Sequence, residues 1–369
     1  MKRIQLMSLA AVLLATSCTS NRQSDDTFAL ETREVDFQDK TGDVIQAEEL
    51  NLEVPGVRNV VVYDSLLVFT TTDPSGMLQV YNKRTLEKIG SFCTQGRAAD
   101  EFVGSAYLTN SQHYLKDGEL ILPLLDGSTS FYKEVNVSAS LREGHTVVEG
   151  TVQRAGYDDN IVMLDGTLDR TFSFRKPRNI VGSGFTMPQY VVTGYDDTVK
   201  EIEVFKKHIN CQNEDDFERC YYGRLMKHPD RNLAVLPMSF MNYILFFDLD
   251  KDEYYALRQK GTPAFSDIYV DRSWWNDNKG FGSVDCNSDM FMVAYCGGEY
   301  SINARKNDMV TFELLLFDWE GNYLGGAKMD TNVHCCSYDP DTQLLYAVNI
   351  GSEKIYTYDL SGLMKSIGR

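Results

Sequence analysis

A chain of 369 residues that is 43% apolar and 12% aromatic, with only 9 prolines, excludes a disordered protein and can bury a large core. Its formal charge of −17 excludes an electrostatic grip on nucleic acid or on an anionic membrane surface, since both are polyanions. The length suits two medium domains or one large repeat array.

The chain opens with Lys2 and Arg3, continues through an apolar run over 6–14, and reaches Ala15-Thr16-Ser17-Cys18. So short an apolar core reads as a secretory signal, because a bilayer span needs about 20 apolar residues. Small residues directly before a cysteine resemble the bacterial lipobox. That resemblance implies that residues 1–17 are a lipoprotein signal peptide and that Cys18 carries the acyl chains, so lipid rather than a helix is the anchor. The plainer reading is an ordinary secretory peptide with a chance cysteine. Residues 18–42 are polar and lack an apolar period, as a flexible tether does. Within them Ser24-Asp25-Asp26 looks like the acidic export signal of Bacteroidetes lipoproteins, though it stands further from the cysteine. The expected location is the outer membrane, on the periplasmic face or the cell surface, with the acidic cluster favouring the surface.

From residue 43 onward the pattern is of strands. Apolar runs bounded by turn residues cover 59–71, 118–127, 232–240, 288–296 and 342–350. Each precedes a segment in which period-2 alternation runs up to an acid or amide and resumes after a turn: 77–92, 190–205, 243–257, 313–326 and 354–362. The acid or amide falls at Asn82, Asp196, Asp248, Asp318 and Asp359, with a blurred sixth case near Lys133. Six such turns give about 50–55 residues per repeat, the size of a four-stranded propeller blade. The expected fold of residues 43–369 is therefore all-β: a six-bladed β-propeller of four-stranded antiparallel blades. Helical turns are expected only around Asp215 and Asp267. Only ten residues follow Asp359, too few for an outer strand with its connection. One of two β-prone pieces within 31–52, REVDF or DVIQAEEL, is expected to supply that strand and close the ring; otherwise both belong to the tether.

After the first repeat comes Gly96-Arg97-Ala98-Ala99-Asp100-Glu101-Phe102. This resembles the G-R-G-P-x-E-F signature of the TolB-like six-bladed propeller lipoproteins of the Bacteroidetes, with Ala98-Ala99 in place of Gly-Pro. The resemblance implies a six-bladed propeller on a lipid anchor, and no particular reaction or substrate. Arg97 and Glu101 are expected to pair across the junction between blades; the alternative makes Arg97 an anion ligand in the central channel.

Setting Cys18 aside leaves seven cysteines, and outside the inner membrane disulfides are allowed. Cys211 with Cys220, and Cys286 with Cys296, are the candidate pairs among otherwise buried thiols. No C-x-x-C and no ligand spacing among the five histidines points to a metal, and no cofactor is expected. Trp274-Trp275, in a segment rich in Asp, Asn and Gly, is a candidate sugar-stacking or protein-binding site, or else inter-blade packing. No nucleophile elbow, zinc-protease helix, P-loop or dinucleotide fingerprint occurs, so catalytic residues are unknown. The sequence favours a non-catalytic binding or scaffolding propeller for an envelope protein, peptide or glycan. The alternative is an envelope lyase or hydrolase, working in the central pocket.

Overall fold

The computed structural model describes residues 28–37, 40–108, 113–129, 131–153, 158–175, 177, 179–180, 184–194, 198–211, 220–270, 280–295 and 312–369. The chain is all-β, with six blades of four antiparallel strands set in a ring. Three belt strands come first: β1 (Glu31–Val35), β2 (Thr41–Ile45) and β3 (Glu48–Glu49). Blade 1 is β4 (Val57–Tyr63), β5 (Leu66–Thr71), β6 (Leu78–Asn82) and β7 (Lys88–Phe92). Blade 2 starts at β8 (Ala106–Tyr107), carries the side strand β9 (Tyr114–Lys116), and continues as β10 (Glu119–Asp126), β11 (Phe131–Asn136), helix α1 (Val137–Glu143) and β12 (Val148–Gln153). Blade 3 is β13 (Asp158–Leu164) and β14 (Thr167–Arg175), then a small hairpin of β15 (Asn179–Ile180) and β16 (Gly184–Phe185), then β17 (Gln189–Thr193) and β18 (Val199–Ile202).

A short strand β19 (Asn210–Cys211) precedes blade 4, which is β20 (Met226–Lys227), β21 (Leu233–Pro237), β22 (Tyr243–Asp248) and β23 (Glu253–Gln259). Beyond a 3₁₀ turn (Phe265–Asp267), β24 (Tyr269–Val270) pairs in parallel with β19. Blade 5 is β25 (Phe281–Cys286), β26 (Met290–Tyr295), β27 (Phe312–Asp318) and β28 (Tyr323–Met329). Blade 6 is β29 (Cys335–Asp339), β30 (Leu344–Asn349) and β31 (Lys354–Asp359), followed by α2 (Ser361–Ser366). The middle strands are buried on both faces, as when sheets stack around an axis; all six residues of β26 are buried.

The recurring acid or amide has a local cause. Each of the four that are described caps the turn that follows its strand, accepting backbone N–H groups as an Asx turn does. Asn82 Oδ1 takes the N–H of Arg84 and Thr85, Asp248 that of Lys251, Asp318 those of Glu320 and Asn322, and Asp359 that of Ser361. In blade 2 the same position is Asn136, whose side chain caps α1 by accepting Ala139 N–H at 2.8 Å. A helix in place of a tight turn is why the repeat blurs near Lys133. The 3₁₀ turn lies where a helical turn is expected, whereas α1 and α2 have too few turns to show a period. Asp196 and Asp215 lie outside the described residues.

Closure is by the N-terminal strand. β3 pairs antiparallel with β31, Glu48 opposite Thr357, and supplies the fourth strand of blade 6. The preceding strands add in parallel to the outer edges of two further blades, β1 on β23 and β2 on β28. Residues 28–37 and 40–42, which composition assigns to the tether, are therefore folded onto the ring. Polar composition misleads here because an outer strand exposes most of its side chains; the few apolar ones plug seams. Phe28, 2% exposed, meets Phe205, Tyr243 and Phe265 between blades 3 and 4 at ring distances of 4.7–5.3 Å. Phe37 is fully buried among Phe281, Tyr295, Phe317 and Tyr323 at the seam of blades 4 and 5. Ile45 and Ala47 pack into the seam of blades 5 and 6, and Leu50, Leu52 and Val54 into that of 6 and 1. Polar contacts fix the register: Glu34 pairs with Arg258 at 2.6 Å, and Phe37 N–H donates to Gln259 Oε1 at 2.7 Å.

The inner edges are closed by side chains from neighbouring blades. Ser337 Oγ of blade 6 accepts Val62 N–H of blade 1 at 3.1 Å, and the Cys335 thiol donates to the Arg58 carbonyl at 3.2 Å. Asp285 of blade 5 accepts Tyr338 N–H of blade 6 at 2.5 Å, and the Cys286 thiol donates to the Lys227 carbonyl of blade 4 at 3.3 Å. Asn59 Nδ2 donates to the Leu108 carbonyl, joining blades 1 and 2. Cys286 stands opposite Phe291, at the other end of the ladder from Tyr295. Cys286 is a free thiol here, bonded to the Lys227 carbonyl rather than in the expected disulfide, and Cys296 lies outside the described residues; so does the Cys211 side chain, and the Cys211–Cys220 pairing remains an expectation.

Two outcomes follow for stability. A chain starting at Val54 lacks the whole belt, and should aggregate or melt far below one starting at Thr27; equal melting temperatures would show the belt to be dispensable. Phe37→Ala alone should cost about 3–5 kcal/mol in denaturant unfolding. Burial pushes the Asp285 carboxyl up to about 7, against the donors Tyr338 N–H, Cys286 N–H and Ser337 O–H. The folded protein thus keeps a proton that the unfolded chain releases at lower pH, and stability falls as pH rises from about 4 to 7. Asp285→Asn cannot lose that proton. Its melting temperature relative to the parent should rise across that window and level off above it; a difference constant from pH 4 to 8 would show that Asp285 is ionised throughout.

Candidate functional site

Each inner strand begins on the face where the chain crosses from one blade to the next, so the linkers and the channel mouth share that face. The linkers are unequal. Those after blades 6 and 1 are short or tightly tied, whereas those spanning 203–225 and 260–280 are long and pair through β19 and β24. Their aromatic side chains extend the core at the seam of blades 3 and 4: Phe205 lies 4.8 Å from Tyr221 and 5.2 Å from Phe265, and Tyr243 donates to the Pro263 carbonyl at 3.0 Å. Gly280 closes this region onto blade 4. A Cβ there would stand 2.1 Å from the Met238 carbonyl oxygen, so only glycine fits. Elaborated loops on a rigid ring are where binding groups usually lie.

Trp274 and Trp275 fall within 271–279, outside the described residues, between Val270 and Gly280 of this same linker. Arg97 is described and exposed, and no ion pair or hydrogen bond holds its guanidinium among the described residues. Glu101 turns away from it, folding over Gly96 to accept Ala98 N–H at 2.8 Å. The expected Arg97–Glu101 pair is thus replaced by a side chain capping its own turn. The junction's brace is Lys133 of β11, whose ammonium donates to the carbonyls of Ala99 and Glu101 and sits 4.9 Å over the buried Phe102 ring. Asp126 completes it by accepting Val103 and Gly104 N–H; burial pushes its carboxyl up, but these donors and Ser128 N–H outweigh that and hold it low.

At the mouth the structure assembles residues that the repeat pattern does not single out. Arg58 is the extra residue of a β-bulge between Val57 and Asn59 on β4, and it is exposed. Bulges re-aim a side chain out of the ladder and recur beside functional sites. Tyr107 on β8 is 48% exposed. Arg224 belongs to the innermost run of blade 4, where Gly223 bridges Met238 and Arg224 N–H donates to the Pro237 carbonyl. It is half-buried, and its guanidinium has no hydrogen-bond partner among the described residues. His334, just before β29, accepts Ile350 N–H on Nδ1 at 3.2 Å. Burial, then the charge of Arg224, hold its imidazole below the usual range; burial pushes the neighbouring Cys335 thiol up to about 12, with Arg224 pulling against it. Another bulge, on β25 of blade 5, lies between Phe281 and Val284.

Two surface clefts lie apart from the mouth. One of about 340 Å³ lies between 49–55 and 352–355, beside the Glu49–Lys354 pair. The other, about 370 Å³ at the seam of blades 4 and 5, includes Tyr255, whose ring is stacked by Phe246 at 4.6 Å and covered by Arg33 at 3.9 Å. No group of metal-ligating side chains occurs among the described residues.

No protein-family model matches the chain, and no curated protein matches it by sequence. Solved structures do resemble it. A Bacteroides fragilis protein described as exported aligns with a TM-score of 0.50 at 11% identity, over 89% of this chain and 98% of that one. The RRP9 WD40 repeats align with a TM-score of 0.45 at 10% identity, over 85% and 97% of the two chains. The Neurospora crassa Pan2 WD40 domain gives 0.44 at 8%, over 91% and 96%. At such identities the likeness to the exported protein shows the fold alone: the chain is a β-propeller.

Proposed function

We propose that this protein is a non-catalytic binding or scaffolding propeller of the bacterial envelope, presenting its linker face to an envelope protein, a peptide or a glycan. The observation that carries the reading is the asymmetry of that face. Two long linkers pair there through β19 and β24 and seat their aromatic side chains in the core of blades 3 and 4. A rigid ring with elaborated loops suits recognition, which needs preorganised groups rather than a reaction centre. Trp274-Trp275, in the linker after blade 4, are the proposed contact aromatics. Membership of the TolB-like lipoproteins is part of the proposal; it rests on Gly96, Arg97, Glu101 and Phe102.

The anchor is proposed to be lipid on Cys18, on an outer-membrane protein facing the periplasm or the surface. Described chain begins ten residues beyond, at Phe28. Cys18→Ala should release the protein from membranes or block its processing; unchanged detergent partitioning would refute the anchor. For the ligand, glycan and peptide arrays probed with the chain from Thr27 onward should give a discrete set of hits that Trp274→Ala with Trp275→Ala abolishes. Hits unaffected by that double substitution would place recognition elsewhere on the ring.

A further inference from the structure

The belt treats the two ends of one seam differently. At the linker end of blades 4 and 5 it supplies Phe37, whose N–H is held by Gln259 and whose ring is fully buried. At the far end of β23, beside the Asp248–Lys251 turn, it supplies Arg33, and the cleft of about 370 Å³ lies there. Leu233 and Phe246 give that cleft an apolar side. Its charged wall is fixed by contacts from one residue to the next. The Arg33 guanidinium lies 3.9 Å over the Tyr255 ring, the Tyr255 hydroxyl donates to the Glu320 carbonyl at 2.8 Å, and the Arg231 guanidinium stands 3.9 Å from the Glu320 carboxylate. Glu253 lines the same cleft. The Arg231–Glu320 distance, like the 3.8 Å between Arg33 and Glu31, is too long for a hydrogen bond. The side chains of Arg33, Arg231, Glu253 and Glu320 thus make no hydrogen bond among the described residues, whereas Lys251 is tied to Asp248 and Asp250 to Asn232, each at 2.9 Å.

Two open groups of each sign decide what fits. An oxyanion alone would meet two carboxylates, and a polyamine two guanidiniums. A wholly apolar ligand would strip water from four charges without pairing them. A sugar ring that stacks needs a bare aromatic face, and the cleft presents none. Tyr255 is stacked by Phe246 at 4.6 Å on one face and covered by Arg33 on the other. Trp319, 4% exposed, lies against His228 and Phe291 and spends its indole N–H on the Asn287 carbonyl.

We propose that this cleft is a second binding site, apart from the linker face, for a peptide unit that carries an apolar side chain between a carboxylate and an ammonium group. The apolar side chain enters against Leu233 and Phe246. The carboxylate takes the Arg231 fork and the ammonium takes Glu320, so one long ion pair is exchanged for two hydrogen-bonded ones. Free amino acids and short peptides carry this chemistry at their termini. A partner's chain carries it where an acidic, an apolar and a basic residue follow one another.

The test uses the full chain in detergent, titrated with the free dipeptide Leu-Phe and the blocked tripeptide acetyl-Glu-Phe-Lys-amide. Sulfate, spermidine and maltose are controls at matched ionic strength. Affinity is read by calorimetry and by the indole N–H resonance of Trp319, assigned through Trp319→Phe. At least one peptide should saturate and move that resonance, while the three controls do neither. Binding of the dipeptide alone assigns free termini; binding of the blocked tripeptide assigns a segment of a partner's chain. Arg231→Ala and Glu320→Ala, both at exposed positions, should each weaken the affinity about tenfold, and Arg142→Ala on blade 2 should not. Leu233→Trp fills the cleft and should abolish binding; if that variant fails to fold, the two exposed ones carry the test. A response to maltose equal to that of the peptides would make this a glycan cleft and overturn the proposal. So would the absence of saturation by either peptide, or unchanged affinity in the Arg231 and Glu320 variants. Trp274→Ala with Trp275→Ala should leave the peptide affinity as it is; a joint loss would overturn the separation of this site from the linker face.

Discussion

A ring of sheets has an edge problem, and the rest of this structure depends on how it is solved. Every four-stranded blade has an inner and an outer strand with unpaired N–H and C=O groups, and unpaired edges template aggregation. The outer edges of blades 4, 5 and 6 are covered by one N-terminal belt, which also supplies the last blade's missing strand. The inner edges are too close to the axis for another strand, so short side chains seal them instead: Asn59, Asp285, Cys286, Cys335 and Ser337. Cysteine suits this work because a thiol is small, tolerates burial and still donates weakly to a carbonyl. The burial that raises the Cys335 and Cys286 thiols also keeps them unreactive.

How much of this was legible in the sequence depended on whether the cause was local. The Asx turns were legible because one residue makes them, and Asn82, Asp248, Asp318 and Asp359 stand where the turn demands an acceptor. The ring-closing strand was legible as a deficit at the C-terminal end, but its extent was not. β1 and β2 look like tether because their outward side chains are polar, and only Phe28 and Phe37 betray seams that no local pattern marks. The junction motif was found, yet its chemistry was misassigned. Arg97 and Glu101 are close in sequence, whereas the lysine that braces the turn, Lys133, comes from a strand more than thirty residues on.

The mouth was the least legible part, for a related reason. Arg58, Arg224 and His334 belong to three different blades, and each looks unremarkable in its own strand. A single cation in an inner run, such as Arg224 between Gly223 and Leu225, was the available signal; that its charge acts on His334 of another blade appears only once the ring is closed. Repetition reveals architecture because it recurs along the chain. Contacts between blades distant in sequence do not recur along it.

Belt and linker face are also mechanically joined. Phe28, at the head of the belt, is seated on Phe205 and Phe265, one from each long linker, and on Tyr243 of the blade between them. The same ring that plugs the outer seam therefore supports the two linkers that shape the linker face. Ten residues separate Phe28 from Cys18, a reach of about 35 Å fully extended. With an acyl anchor at Cys18, tension on the tether would load this aromatic seat before any other contact of the fold, because every later belt contact lies behind it in the chain. Placing a buried phenylalanine at that first position, with stacked and edge-on partners, puts firm packing where the load arrives. The linker face and the head of the belt are in this sense supported by one side chain.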